Sequence, residues 1–146
     1  MIVGIDISTK SIVAAFLCND NSFSITSLES KKQSYQDRFK DLCISFYEFV
    51  EDNKNHIKVI YLEEPPFVQN RQAFLKLTKV VALCETCCIL VGIPHFTVNV
   101  QTWKAKMIGN GHASKEQVKD FTKLIWGDKI QLLSQDALDA LCIARW

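Results

Sequence analysis

The sequence predicts a mixed α/β fold: a five-stranded sheet, three antiparallel strands followed by parallel ones, flanked by helices. Two observations point there. The first thirty or so residues hold three strand-like segments joined by short turns, which only an antiparallel meander allows. After them, strand-like and helix-like segments alternate, and the apolar period switches between 2 and 3.6. At 146 residues the chain is expected to be one domain, 1–146, with a full core.

Residues 1–8 read as a buried strand and 11–17 (Ser-Ile-Val-Ala-Ala-Phe-Leu) as a second, after the turn-like Ser8-Thr9-Lys10. Residues 22–28 alternate and read as a third. Ser34 is a helix N-cap, and Phe39, Leu42, Cys43, Phe46, Phe49 and Val50 follow an amphipathic period that ends near Asn53. A fourth strand spans 58–63, where Pro65-Pro66 forbids a simple continuation. A long apolar helix, roughly 70–91, is closed by Gly92 and Pro94. His95 to Val100 reads as the fifth strand. Ser114 with Gln117 is a capping box for a helix to about Trp126, and Ser134 caps the last one.

Composition narrows the function. A hydrophobic fraction of 48% and a charged fraction of 23% suit a globular chain. No apolar run reaches the roughly 18 residues of a membrane span, so no membrane association is expected. The first apolar run is broken by Asp6 and lacks a basic leader, which predicts an intracellular protein, cytoplasmic or nucleoid-associated, with a viral or organellar source equally compatible. The six cysteines lie mostly in apolar segments and read as free thiols. Cys84, Cys87 and Cys88 follow a buried helical face and lack a second ligand pair for zinc. The net charge of +1 is neutral on partners, but Arg71, Lys76 and Lys79 stand in an acid-free stretch, and Lys104, Lys106, Lys115, Lys119 and Lys123 outnumber Glu116 and Asp120 in a second stretch; a pair of solvated helix faces is the equal alternative. No histidine, serine or cysteine has an evident paired base, which sets nucleophilic catalysis aside.

Four carboxylates are the strongest functional signal. Asp6 ends the run Met1-Ile2-Val3-Gly4-Ile5, and Glu63 ends Val59-Ile60-Tyr61-Leu62. Asp136 and Asp139 share one face of an apolar helical pattern. A carboxylate at the end of a core strand is costly to desolvate unless something pairs with it. Four that converge make a divalent-metal site, and hard oxygen ligands favour magnesium or manganese. The ordinary alternatives are a capped turn at Asp6 and dipole stabilisation at the N-terminus of the last helix, which accounts better for Asp136 than for Asp139. Gly4-Ile5-Asp6 also resembles the first phosphate loop of sugar-kinase and actin-like ATPases, but the chain is too short for their two lobes. Glu63 and Glu64 are adjacent and point to opposite sides of a strand, so one of them is expected at the site. Gly109-Asn110-Gly111-His112 leads into the Ser114 cap, where a helix N-terminus and Lys115 suit a phosphate, although taken alone an ordinary turn and cap is the better reading.

Taken together, Gly4-Ile5-Asp6, Leu62-Glu63, Lys104 through Gly109-Asn110-Gly111 to Lys115, and Asp136-Ala137-Leu138-Asp139-Ala140-Leu141 resemble the RuvC-type Holliday junction resolvases of the RNase H-like nuclease superfamily. The resemblance covers nearly the whole chain in the family's order. It implies an RNase H-like fold, metal ligands at Asp6, Glu63, Asp136 and Asp139, and catalytic lysines at Lys104 and Lys115. It implies a DNA-binding set of Phe67, Arg71, Lys104, Lys106, Gly109, Asn110, Gly111, His112 and Lys115. The gapless count from Glu63 to Lys104 favours Glu63 over Glu64. In one place the chain departs from the family. Pro66 stands where the family has the aromatic that wedges at the junction centre, and Phe67 follows it. That departure keeps Glu64 open as the ligand.

The implied activity is a structure-selective endonuclease using two Mg²⁺ ions, with Mn²⁺ as a substitute, and leaving 5′-phosphate and 3′-hydroxyl ends. The implied partners are a four-way DNA junction, a second copy in a C₂ homodimer and, by analogy alone, a branch-migration helicase. The apolar 70–91 helix is the expected dimer face. The rival expectations are an RNase H-like nuclease for other branched DNA or RNA–DNA hybrids, and an inactive junction-binding protein.

Overall fold

The computed structural model describes residues 1–66 and 69–146. Its elements run β1 (Ile2–Ile7), β2 (Ser11–Leu17), β3 (Phe23–Glu29), α1 (Tyr35–Asn53), β4 (Val59–Glu63), α2 (Arg71–Val91), β5 (His95–Val98), α3 (Val100–Ile108), α4 (Lys115–Trp126), a 3-10 turn (Gly127–Ile130) and α5 (Gln135–Arg145). The sheet order is β3-β2-β1-β4-β5. β1, β2 and β3 pair antiparallel, while β4 and β5 add parallel to β1, which gives the expected mixed sheet.

The strands sort their side chains by alternation. Val3, Ile5 and Ile7 with Ile12, Ala14, Phe16, Ile60 and Leu62 face α1 and α2. There they meet Leu42, Phe46 and Val50 of α1 and Val80, Cys84 and Cys88 of α2. Each large apolar side chain buried in this way contributes about 1.5–3 kcal/mol. The three cysteines of α2 are core, as the helical period requires. The other face carries Val13, Ala15, Leu17 and Val98 beneath α5, with Trp103, Val118 and Trp126 filling in from α3 and α4.

α5 lies directly across β1, β2 and β4, and Gly4 makes that approach possible. A Cβ at Gly4 would stand 2.2 Å from both the Ala140 carbonyl oxygen and the Ala144 nitrogen. Opposite Gly4 the helix presents Ala140 and Ala144, themselves buried, so small residues on both sides let the backbones meet. Asn21, at φ 63°, ties the β2–β3 turn to this layer, accepting from the Trp126 indole through its carbonyl and from Arg145 through its side chain.

Two expectations need correction. Strand ends move by a residue or two: β1 stops at Ile7, β3 is 23–29, and β5 ends at Val98 instead of continuing to Val100. More consequentially, Val100–Ile108 is a helix that the strand-like run His95–Val100 concealed. Asn99 turns the chain there. Its side chain accepts from the Gln101 N–H as an N-cap, so Val100 becomes the first helical residue despite its β-branching. Gly109, at φ 81°, ends the helix by donating its N–H to Ala105.

Candidate active site

The four predicted acids meet at one end of the sheet, on the α5 face. Ile5 of β1 pairs with Leu62 of β4, so the next residues, Asp6 and Glu63, sit side by side at the ends of adjacent parallel strands. Both alternate onto the side away from Ile5 and Leu62, toward α5. α5 starts at Gln135 under its Ser134 cap, which places Asp136 and Asp139 one turn apart over the strand ends.

Electrostatics confirm the proximity. Burial pushes the Asp6 carboxyl up to about 8, and the charges of Glu63, Asp139 and Asp136 push the same way. The neighbouring Glu63 side chain pushes Asp6 the same way by direct contact as well as by charge. Glu63 is also raised, chiefly by burial, and its hydrogen bond from Trp103 opposes the shift. Asp139 is raised by burial, with a hydrogen bond from Gln135 and the charges of Lys104 and Lys115 pulling back. The acids are thus close enough to disfavour one another's ionisation. Among the described residues, however, no three His, Cys, Asp or Glu side chains stand within reach of a single ion.

Protein donors hold the acids in place. The Trp103 indole N–H donates to Glu63 Oε1 at 2.8 Å. Gln135 Nε2 donates to Asp139 Oδ1 at 2.8 Å from one turn earlier on α5. Lys104 donates to the Ala113 carbonyl at 3.0 Å, so its ammonium is anchored beside the carboxylates, just before the helix that begins with Lys115. Glu64 takes a different course. Its N–H continues the strand pairing to Val98, and its carboxylate accepts from Thr97 at 3.4 Å. The geometry therefore favours Glu63 as the site carboxylate.

The remaining predicted residues divide. Gly109, Asn110, Gly111 and His112 form the expected loop between α3 and α4, where the Asn110 side chain accepts from the His112 N–H and its carbonyl from the Ala113 N–H. Gly111 packs against the Gln101 carbonyl, 3.0 Å from where a Cβ would sit. Lys106, Gly111 and His112 line one open depression with Gln101 and Ala105. Lys106 does not join the acids: it reaches the Trp146 carbonyl at 3.2 Å and lies over the Trp146 ring. Arg71 is exposed at the start of α2. Phe67 lies outside the described residues. Trp103 and Gln135 went unnoticed in the sequence. Gln135 had a signal, its i,i+4 spacing from Asp139; Trp103 had none.

No protein-family model matches the chain. Over 78 residues it is 31% identical to the crossover junction endodeoxyribonuclease RuvC of Geotalea uraniireducens, a match covering 53% of this chain and 45% of that protein. To the RuvC of Salinibacter ruber it is 32% identical over 83 residues, 57% of this chain and 46% of that one. The chain thus spans just under half the length of the curated relatives it matches. In three dimensions the likeness is more extensive. Thermus thermophilus RuvC superimposes with a TM-score of 0.74 at 19% identity, covering 97% of this chain and 89% of that one. The same protein in complex with a Holliday junction substrate gives 0.77, covering 97% and 88%. The chain has the RuvC fold. The yeast mitochondrial Holliday junction resolvase Ydc2 aligns with a TM-score of 0.65 at 16% identity, covering 97% of this chain and 75% of that one. Among the described residues no helix is long and apolar enough to cross a membrane.

Within this RuvC fold the acid cluster offers the donor chemistry that a hard divalent cation takes. Its donors are all carboxylate oxygens, and burial leaves Asp6, Glu63 and Asp139 more basic than free carboxylates, so a cation there would compete with protons. A folded-state pKa raised from 3.8 to about 8 gives stability that is fully present below the unfolded value and lost as pH rises through the folded one. Glu63 and Asp139 shift in the same direction and add to the effect. Metal-free protein should therefore melt about 5 °C or more lower near pH 8 than near pH 5. Millimolar Mg²⁺ at the upper pH should recover much of the loss. A melting temperature flat across that range, followed by scanning calorimetry in EDTA, would contradict the electrostatic picture.

Proposed function

We propose that the chain is a divalent-metal-dependent endonuclease that resolves four-way DNA junctions by paired symmetric nicks. The observation that carries this reading is the meeting of Asp6, Glu63, Asp136 and Asp139 at the strand ends of a RuvC fold, flanked by the anchored Lys104 and by Lys115. The likeness to RuvC proteins, one of them in complex with a Holliday junction, supports the substrate class.

Bound among these carboxylates, two Mg²⁺ ions would supply an activated water and charge stabilisation for in-line hydrolysis, leaving 5′-phosphate and 3′-hydroxyl ends. The chain's own residues do the rest. Asp6 gives up its proton and, with Glu63 and the α5 pair, provides the oxygen ligands. Lys104 and Lys115 bring positive charge to the edge of the acidic cluster, where a phosphodiester can be oriented and its developing charge offset. The α3–α4 loop, with Gly109, Asn110, Gly111 and His112, offers backbone for close approach to the sugar–phosphate chain, beside the N-terminus of α4. Arg71 and Lys106 add charge farther out for the junction arms. Phe67 is the proposed wedge at the junction centre.

One acid cluster cuts one strand, so two symmetric cuts call for a C₂ dimer. Ile89 and Leu90 of α2 are 67% and 72% exposed, and Leu75 of α2 and Ile44 and Tyr47 of the adjacent α1 extend that apolar surface, which suits a subunit interface. The domain assignment 1–146, an intracellular location and a helicase partner remain part of this reading.

The test is an immobile synthetic four-way junction, labelled on one strand at a time. Expected are paired nicks at symmetric positions with Mg²⁺ or Mn²⁺, ligatable without end repair and lost in EDTA. Stronger cutting of flaps or RNA–DNA hybrids would move the chain to another nuclease class. Binding without nicks in either metal would mark it as a junction-binding protein.

A further inference from the structure

Trp103 is fully buried, and it is among the largest side chains in the core. Its one polar atom is spent on an active-site carboxylate. Nε1 donates to Glu63 Oε1 at 2.8 Å, from α3 to the end of β4 across 40 positions of sequence. An indole N–H has no lone pair and one direction, so it binds a carboxylate in a single orientation. It carries no charge, so it steadies Glu63 without cancelling the negative charge a cation needs, which a lysine or arginine in its place would do. The ring belongs to the buried cluster that also holds Val98, Val118, Leu138 and Leu141, so the donor is held by the core and not by a mobile surface chain. The next residue, Lys104, has its ammonium 5.5 Å from the centre of that ring and donates to Ala113. One buried ring thus meets Glu63 through its N–H and Lys104 over its face.

We infer that Trp103 is a positioning residue of the metal centre, whose indole N–H orients Glu63 for ligation. The inference rests on the metal-site reading above. A hydrogen-bond partner that orients a metal ligand typically accounts for about ten- to hundredfold in metal affinity.

The test is a double-mutant cycle read by Mn²⁺ titration calorimetry, without substrate or turnover. Trp103→Phe removes the donor and keeps an aromatic ring. It should weaken Mn²⁺ binding about tenfold, while junction binding in EDTA is kept. In a Glu63→Ala background the same change should weaken Mn²⁺ no further, because the donor then has nothing to orient. Wild-type Mn²⁺ affinity in folded Trp103→Phe overturns the inference. An equal loss with and without Glu63 also overturns it, since that would be a packing effect. If Glu63→Ala weakens binding and Trp103→Phe does not, only the inference falls; if Glu63→Ala itself binds Mn²⁺ normally, the site reading falls with it. Should the phenylalanine variant fail to fold, 3-benzothienylalanine at position 103, which exchanges the N–H for sulfur on an otherwise matching ring, makes the same comparison.

Discussion

Asp6→Asn and Asp139→Asn are each expected to reduce junction cleavage by about a thousandfold or more, the scale on which transition-state electrostatics are lost, while junction binding in EDTA persists. The reasoning runs through charge. Asp6 is central, lying beside Glu63 and within the field of both α5 acids. An amide of the same shape keeps the packing and removes one anionic ligand. The same substitution should have the opposite effect on stability. Near pH 8 the wild-type Asp6 is forced to share its proton or ionise in a buried place, and asparagine does neither. The metal-free Asp6→Asn protein should accordingly melt higher than wild type there, and its melting temperature should depend less on pH. An inactive but stabilised variant separates loss of chemistry from loss of fold. Full cleavage by either variant, measured on the labelled junction, would remove Asp6 or Asp139 from the site.

Gly4→Ala is the second large effect. A methyl at residue 4 would stand 2.2 Å from two backbone atoms of α5 and 2.8 Å from a third, the Ala144 Cα. None of these can rotate aside, so the helix must lift off the sheet. Overpacking of this kind costs about 1–3 kcal/mol and sometimes more, and a backbone-to-backbone clash belongs at the upper end. The helix that lifts is the one that carries Asp136 and Asp139 toward Asp6 and Glu63. A displacement near 1 Å in a catalytic constellation can cost about a hundredfold in rate. Two outcomes are therefore expected together: a melting temperature lower by about 5 °C or more, and loss of cleavage even in the fraction that folds. Thermal denaturation followed by circular dichroism, with cleavage assayed well below the transition, checks both. Wild-type values for both would contradict the close contact of β1 and α5.

Much of this site was legible in the sequence. Asp6 and Glu63 stand out because each closes an apolar run, where an acid has no structural reason to be. Asp136 and Asp139 stand out because helical spacing puts both on one side of an otherwise apolar segment. The cysteines of α2 declared themselves core by their period. What stayed hidden had physical reasons. α3 was obscured because Val98 and Val100 favour strand, and only the hydrogen bond from the Gln101 N–H to the Asn99 side chain decides for helix. The Trp103–Glu63 bond joins segments 40 positions apart, and no local spacing announces such a contact. The choice between Glu63 and Glu64 needed the sheet register, which follows from the parallel pairing of β1 with β4. Gly4 looked like one more small residue in a strand until α5 was seen lying against it.

Under the proposed function, the placement of the acids also governs when the ligand set can assemble. Asp6 lies on the first strand and Asp136 and Asp139 on the last helix, so the cluster joins the two most distant stretches of the chain. During synthesis the β1–β2–β3 meander can pair early because its contacts are local, whereas α5 is made long after β1 and docks on it only then. A nascent or truncated chain lacking α5 holds at most half of the ligand set. On the proposed reading, assembly of the full ligand set is thereby tied to the docking of α5 on the sheet.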